Sequence, residues 1–188
     1  MTDSAADVRA WLFEAETAAL EPRALLDGLV ARLVSAGIAL HRVSIWIPTK
    51  HPELWGHQLA WDQTQGARVL RRSHEVSSSI DYLGTPAEAL HQSGSSTLRC
   101  RLDREPERSR FAMLAAMADA GATDYFLASL EPGDQRASWI SFASRAPGGF
   151  DERELAQLTD LIPLLALHVR LAAATFATRS LLEVYLGA

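Results

Sequence analysis

Three side chains that commonly bind metal ions, His51, Glu53 and His57, lie close together in the chain. A zinc site draws its ligands from such groups, but their spacing around Pro52 matches no usual ligand pattern. The chain has a single cysteine, so no pair of cysteines can complete a site. We therefore predict that the protein holds neither a metal nor another cofactor.

Nucleophilic catalysis has equally little support in the sequence. The serines at 77–79 lack the Gly-x-Ser-x-Gly arrangement of a hydrolase. Acidic and basic residues alternate over 103–109, which is typical of a solvent-exposed loop. Cys100 occupies an inward position of a predicted strand, where we expect a buried and unreactive thiol, with Arg99 and Arg101 pointing the other way. We predict no catalytic residue, and hence that this chain is not an enzyme.

Aromatic side chains give the clearest indication of a binding site. Several fall on or beside a predicted sheet, where they could either pack in the core or line an apolar small-molecule pocket. In the second case His57 and Arg71 would supply polar anchors. The candidate pocket residues are Trp46, His51, His57, Trp61, Arg71, Tyr82, Tyr125 and Trp139.

The elements that would position these residues alternate between helical and strand patterns. A first helix is predicted over 4–20, and a second begins at Pro22 and ends at Gly37. Short connections between successive strands favour antiparallel pairing. We predict an α+β fold with one antiparallel sheet of five to six strands, flanked by helices and followed by a long C-terminal helix. The remaining predicted segments are strands at 42–48, 55–62, 67–76, 97–102, 124–130 and 137–144, and helices at 85–92, 110–120 and 151–185.

Side chains of the first two predicted strands divide between the two faces of the sheet. In the first strand, Ser44 and Trp46 point to the face opposite the apolar residues Val43, Ile45 and Ile47. In the second strand, one face is predicted to carry Trp55, His57, Leu59 and Trp61.

The C-terminal helix is longer than a domain of this size requires. From Asp151 to about Tyr185 it would span roughly 50 Å, and Pro163 is expected to kink or break it. Its apolar residues recur in alternating three- and four-residue steps, as in a short coiled-coil seam. We predict a domain over 1–168, a helical connector over 169–188, and a homodimer formed through the helix. The residues of the predicted seam are Leu158, Ile162, Leu165, Val169, Ala172 and Phe176.

Composition limits the classes of partner. The chain has 188 residues, 48% of them hydrophobic, which is enough for one domain with its own core. A net charge of −5 disfavours nucleic-acid binding. The amino terminus lacks a basic and apolar leader, and purely apolar runs fall short of the roughly 20 residues of a membrane-spanning helix. We expect a cytoplasmic protein with no nucleic-acid or membrane partner.

Several short segments together resemble a known family. They are 22–26, 37–43, His51-Pro52 with Gly56 and Trp61, 141–143, 148–150 and 181–187. This set is similar to the amino-terminal region of many bacterial class III adenylate and guanylate cyclases, and the resemblance covers nearly the whole chain. That region looks like a GAF-type sensor domain, in which a mixed sheet is flanked by helices.

The resemblance implies regulation rather than catalysis. The metal-binding aspartates of these cyclases, and their purine-selecting Lys and Asp, belong to a separate domain. This chain contains one lysine, Lys50, and no candidate segment for that domain. The resemblance therefore implies a sensor that binds a small molecule or dimerises, and that controls a C-terminal cyclase domain of the parent protein through paired exit helices.

Two other interpretations stay open. The first is a stand-alone GAF-type enzyme such as a methionine-sulfoxide reductase, although that family relies on several cysteines and Cys100 is alone. The second is a GAF-like domain that has lost its ligand and only dimerises. A closed apolar pocket would favour the second, whereas an open cavity ringed by Trp and His would favour ligand sensing.

Overall fold

The computed structural model describes residues 4–49, 54–73, 84–131 and 137–186, with side chains described between residues 7 and 179 of these ranges. The elements are α1 (Ser4–Phe13), α2 (Ala15–Ala18), α3 (Pro22–Ser35), β1 (Leu40–Pro48), β2 (Leu54–Asp62), β3 (Gly66–Ser73), α4 (Pro86–Ser93), β4 (Thr97–Arg101), α5 (Ala112–Asp119), β5 (Asp124–Ser129), β6 (Trp139–Ser144) and α6 (Glu152–Leu186).

Six strands form one sheet in the order β3-β2-β1-β6-β5-β4, and every neighbouring pair is antiparallel. Helices α1, α3 and α6 pack on one side, which we call the helix face. Helices α4 and α5 pack on the other side, which we call the cavity face. The predicted α+β fold, with an antiparallel sheet and a long C-terminal helix, is confirmed.

The helix face is filled by the larger of two apolar cores. Strands β1 and β6 contribute Val43, Ile45, Ile47, Ile140 and Phe142, none of them more than 1% exposed. Complete burial of such a side chain contributes about 1.5–3 kcal/mol, so this core holds the helices on the sheet. The facing helices supply Leu26, Leu29, Leu33, Leu158, Leu161, Leu165 and Val169.

The helix predicted over 4–20 is two helices rather than one. It is interrupted at Glu14, where the backbone is extended, with φ −67° and ψ 138°. The interruption limits α1 to a length that packs against both α3 and α6. The third strand ends at Ser73, and the remainder of the strand predicted over 67–76 lies outside the described residues.

Helix α6 begins with a capping box formed by Asp151 and Glu154. The Glu154 backbone N–H donates to Asp151 Oδ1 at 2.7 Å, and the Asp151 N–H donates to Glu154 Oε2 at 2.8 Å. The helix then continues through Pro163 without a break. Leu161 and Leu165 are buried in the core on either side of the proline, so packing outweighs its low helix propensity here.

Within the described residues, one stretch of helix, Glu152–Arg179, is long and apolar enough to cross a membrane by length and composition alone. A helix packed on a sheet needs the same apolar character. The buried side chains of α6 face the core of their own domain. The absence of a membrane partner therefore stays a prediction.

A buried carboxylate ties the start of α6 to the sheet. Asp124 of β5 has no exposed surface and accepts hydrogen bonds from Arg99 Nη2 at 2.7 Å and from the Phe150 backbone N–H at 3.0 Å. Arg99 also donates to the Phe150 carbonyl at 2.7 Å. A Cβ at Gly149 would collide with the carboxylate, so only glycine fits there. These contacts fix where the chain leaves β6 and enters α6.

Candidate ligand-binding cavity

A cavity of about 270 Å³ lies on the cavity face, between the sheet and helices α4 and α5. Its volume is just below the usual range for small-molecule sites in proteins, which begins at about 300 Å³. The described residues that line it are Arg42, Ser44, Trp46, Trp55, Gln58, Arg72, Thr85, Pro86, Ala87, Met113, Met117, Tyr125, Trp139, Ser141 and Ala143.

Three tryptophans form an aromatic wall of the cavity. The Trp46 and Trp55 rings lie 4.5 Å apart between centroids and are tilted by 46°. Trp139 of β6 stands directly opposite Trp46 of β1 in the strand register. Gly56 makes room for this arrangement, because a Cβ there would lie 2.6 Å from the Trp46 ring. Such a wall offers flat apolar surface to a ligand.

A polar strip crosses three strands beside this wall. Arg72 of β3 donates to Gln58 Oε1 from Nε at 3.1 Å and from Nη2 at 2.7 Å. Gln58 of β2 in turn donates from Nε2 to Ser44 Oγ of β1 at 2.9 Å. These three hydrogen bonds hold the Arg72 guanidinium in place along the cavity.

Tyr125 supplies a neutral hydroxyl at the other side of the cavity. Burial raises the pKa of Tyr125 to about 12, and a hydrogen bond with Ser141 opposes this effect only in part. The phenol therefore stays protonated at physiological pH. It can act as donor or acceptor toward a ligand but carries no charge.

The structure divides the predicted pocket residues between the two faces of the sheet. Trp46, Tyr125 and Trp139 line the cavity. The candidates His57, Trp61 and Arg71 lie instead on the helix face, and two more candidates, His51 and Tyr82, lie outside the described residues. Only part of the predicted set is therefore brought together, and ligand binding itself stays a prediction.

His57 has a structural role on the helix face. It pairs in register with Ile47, whose side chain is in the core under α6. Its ring stacks on Phe176 of α6, with centroids 3.9 Å apart and planes 5° from parallel. The expected role of His57 as a polar anchor in the same pocket as Trp46 is thus wrong in geometry, because the two residues lie on opposite sides of the sheet.

Strand register explains the misplaced residues. Because side chains alternate along a strand, a shift of one position moves a residue to the other face. Gln58 and Arg72 line the cavity, whereas their neighbours His57 and Arg71 do not. Simple alternation predicts that Trp55 shares a face with His57, Leu59 and Trp61. An irregularity in strand pairing between Leu54 and Gly56 places Trp55 in the cavity instead.

Some cavity residues that were missed carry a usable signal. Arg42 and Ser44 share the strand and the period of Trp46, so alternation alone places them on the same face. Met113 and Met117 are four residues apart on α5 and therefore share one side of that helix. Thr85, Pro86 and Ala87 come from the start of α4, whose approach to the sheet no local pattern reveals.

The predicted dimer seam packs within its own domain. Leu158, Leu165, Val169 and Ala172 are at most 7% exposed in the core of the helix face, and Ile162 and Phe176 pack against that core. An apolar stripe has the same pattern whether it faces a partner helix or its own sheet, and here it faces the sheet. Four of the six side chains are therefore buried within the domain, whereas Ile162 and Phe176 are partly exposed, and the homodimer itself stays a prediction. Ala172 and Phe176, which lie beyond the predicted domain limit at 168, also pack on this core, and the position of the limit stays a prediction.

Cys100 is buried, as the sequence predicts. Burial raises the pKa of its thiol to about 11, so very little thiolate forms near neutral pH. Arg99 and Arg101 point to the opposite face, toward Asp124. Within the described part of the chain no three His, Cys, Asp or Glu side chains are grouped as metal ligands would be. The buried thiol and the described acidic and histidine side chains therefore give no support for thiol or metal chemistry at the cavity.

Comparison with known proteins bears on the fold. No family model matches the chain, and no curated protein matches it. Among solved structures the chain is similar to the phycoerythrobilin-bound GAF domain of a cyanobacterial phytochrome, at 13% identity over 92% of this chain and 95% of that chain, with a TM-score of 0.52. It is similar to bacteriophytochrome RpBphP3 of R. palustris at 11% identity over 93% of this chain and 37% of that chain, with a TM-score of 0.50.

A third similar structure is the GAF domain of a two-component sensor histidine kinase from Bacillus halodurans. It shares 10% identity over 77% of this chain and 93% of that chain, with a TM-score of 0.48. At these identities the likeness concerns the fold and not the ligand. The two matches with TM-scores of at least 0.50, together with the antiparallel sheet and its flanking helices, establish that this chain has a GAF-like fold.

Proposed function

We propose that this chain is a regulatory sensor domain that binds a small molecule in the cavity between the sheet and helices α4 and α5. The observation that carries the proposal is the cavity itself, about 270 Å³ with an aromatic wall and a few fixed polar groups. That combination is what small-molecule sites provide, whereas a packed core leaves few voids larger than a water molecule.

The central strands offer a route from the cavity to α6. In β1, Ser44 and Trp46 line the cavity while Ile45, between them, packs under the helices. In β6, Ser141 and Phe142 divide in the same way. A ligand that favours one position of these strands would bias the packing of α6 by the difference in its affinity for the two states.

We propose that the output is a class III nucleotide cyclase domain that follows α6 in the parent protein. The support is the resemblance of the sequence to the amino-terminal regions of such cyclases, together with a long C-terminal helix that could carry a signal to a following domain. The segment that the gene encodes after Ala188 tests this proposal. A cyclase catalytic domain there is the expected finding, and any other output domain would contradict it.

We also propose a homodimer, with the second copy on the outer side of α6. Leu167 and Leu171 are 54% and 49% exposed there, four residues apart on one side of the helix. A two-fold dimer places the same stripe of each copy against the other. Sedimentation at micromolar concentration should show a dimer for the wild type and a monomer for Leu167→Gln/Leu171→Gln, and a monomeric wild type would contradict the proposal.

The remaining interpretations are less consistent with the structure. A methionine-sulfoxide reductase needs reactive thiols, but the single cysteine is buried with a raised pKa. A GAF-like domain that has lost its ligand would have a closed apolar pocket, whereas the described lining of this cavity holds two arginines, a glutamine and two serines beside three tryptophans, and no histidine. The sensor proposal accounts for both observations.

The experiment that tests ligand binding compares a blocked cavity with an open one. Desalted protein is incubated with a mixture of small metabolites, and adducts are detected by native mass spectrometry. We expect an adduct with the wild type that is lost in Met113→Trp and in Ala87→Phe, which place a large ring at the mouth and at the wall of the cavity. Val69→Trp, an equally bulky change at an exposed position outside the cavity, should retain it.

Circular dichroism shows whether each variant is folded. A wild type without any adduct, or an adduct that both cavity variants keep, would contradict binding in this cavity.

A further inference from the structure

The described lining of the cavity has an unbalanced charge. Among the described residues that line it are two arginines, Arg42 and Arg72, and no aspartate or glutamate. The chain as a whole carries a net charge of −5, so this excess of positive charge is local and does not follow from the composition. A concave site with one sign of charge attracts ligands of the opposite sign.

Arg72 is the better placed of the two arginines to bind an anion. No carboxylate of the described chain lies within ion-pair distance of its guanidinium, and its described hydrogen bonds are the two that it donates to the neutral amide of Gln58. A guanidinium has five N–H donors, so about three remain for a ligand. The hydrogen bond from Gln58 to Ser44 holds the Gln58 amide, and through it the guanidinium, in one orientation before any ligand arrives.

The aromatic wall lies beside this cation. Arg72 stands opposite Gly56, over which the Trp46 ring packs, and Trp55 precedes Gly56 in the chain. Arg42 is exposed at the far end of the cavity, level with Ala143 in the strand register. Among the described residues, the aromatic wall therefore lies beside the guanidinium of Arg72 and not beside that of Arg42.

We propose that the cavity binds a flat aromatic organic anion, with its rings on Trp46, Trp55 and Trp139 and its acid group on Arg72. This inference rests on the proposed sensor function and specifies the chemical class of the ligand. A carboxylate and a phosphate ester share the required chemistry, because a guanidinium binds either in a two-pronged arrangement.

Isothermal titration calorimetry with four probes tests the proposal. The probes are 2-naphthoate, 2-naphthyl phosphate, the neutral isostere 2-naphthamide, and the non-aromatic cyclohexanecarboxylate. We expect at least one of the two aromatic acids to bind about tenfold or more tightly than the amide, which is the usual effect of one charge-assisted hydrogen bond. Cyclohexanecarboxylate should bind more weakly than the aromatic acid. Comparison of 2-naphthoate with 2-naphthyl phosphate shows whether the site prefers a carboxylate or a phosphate ester.

Arg72→Gln and Arg71→Gln form a matched pair, since both remove one positive charge from β3 but on opposite faces of the sheet. Arg72→Gln should weaken the aromatic acid about tenfold and leave the amide unchanged, whereas Arg71→Gln should change neither. Arg72→Lys, which keeps the charge without the two-pronged geometry, should give an intermediate loss. This second variant serves if Arg72→Gln proves unfolded.

Equal binding of acid and amide, or equal losses in the two arginine variants, would overturn the anionic ligand. If no acid binds while native mass spectrometry still finds a cavity adduct, the ligand class is wrong and the sensor proposal stands. If neither experiment detects binding, both proposals fail.

Discussion

The two faces of the sheet are built from the same strands but differ in what they bury. On the helix face, alternate residues of β1 and β6 are aliphatic or phenylalanine and are almost completely covered by α3 and α6. On the cavity face, the intervening residues are arginine, serine, tryptophan and alanine, and about 270 Å³ is left open. The comparison indicates that one set of alternate positions stabilises the fold while the other is available for recognition.

The largest expected effect contrasts an apolar residue on each face. Phe142→Ala removes a fully buried ring from the helix face and should lower the free energy of unfolding by about 3–5 kcal/mol. Met113→Ala removes a side chain that is 40% exposed at the cavity and should cost less than about 1 kcal/mol. Urea unfolding measures both, and similar losses would contradict the division between the faces.

A buried ion pair on the helix face should give the next largest effect. Asp124→Ala leaves Arg99 without its carboxylate and the Phe150 N–H without its acceptor, so we expect a loss of about 3 kcal/mol. The control is Asp119→Ala, which breaks an ion pair whose carboxylate is 70% exposed and should cost at most about 1 kcal/mol. Equal unfolding midpoints for the two variants would show that Asp124 does not hold the start of α6.

The buried thiol of the cavity face should make stability depend on pH. Its pKa is raised from 9.0 to about 11 in the folded chain, so between these values the folded state binds more protons than the unfolded state. The free energy of unfolding therefore falls as pH rises through this window, by at most about 1.4 kcal/mol per pH unit. Cys100→Ala should remove this part of the slope, and identical slopes for variant and wild type would contradict the assignment.

The smallest expected effect on stability concerns Arg72, on the cavity face. Arg72→Gln should change the free energy of unfolding by no more than about 0.5 kcal/mol, because the arginine is half-buried and bonds only a neutral amide. A loss comparable to that of Asp124→Ala would assign Arg72 to the fold rather than to recognition. Unfolding by urea, an uncharged denaturant, at constant ionic strength measures this difference in free energy.

Local patterns were sufficient to predict the fold and one side of the candidate site. Alternation in β1 separates Trp46 from Ile45, and the box of Asp151 and Glu154 locates the start of α6. Both depend on residues a few positions apart, which is why the sequence reveals them. The same reasoning placed the cysteine correctly in the interior.

What could not be predicted depends on contacts between distant residues. The irregularity next to Gly56 changes which face Trp55 occupies, and the pairing of β2 with β3 decides between Arg71 and Arg72. Likewise, the apolar stripe of α6 meets its own sheet rather than a partner, although both surfaces demand the same spacing. The spacing of apolar residues indicates that one face of an element is buried, but it does not indicate which element packs against that face.

The five tryptophans allow the most direct test of the account, because the two faces share them. Trp46, Trp55 and Trp139 line the cavity, whereas Trp11 and Trp61 belong to the helix face. Labelling with 5-fluorotryptophan gives one fluorine resonance for each, and single Trp→Phe variants assign them. Titration with the tightest of the aromatic acids should shift the three cavity resonances and leave those of Trp11 and Trp61 in place. Shifts at Trp11 and Trp61 with the other three unchanged would contradict the binding site on the cavity face.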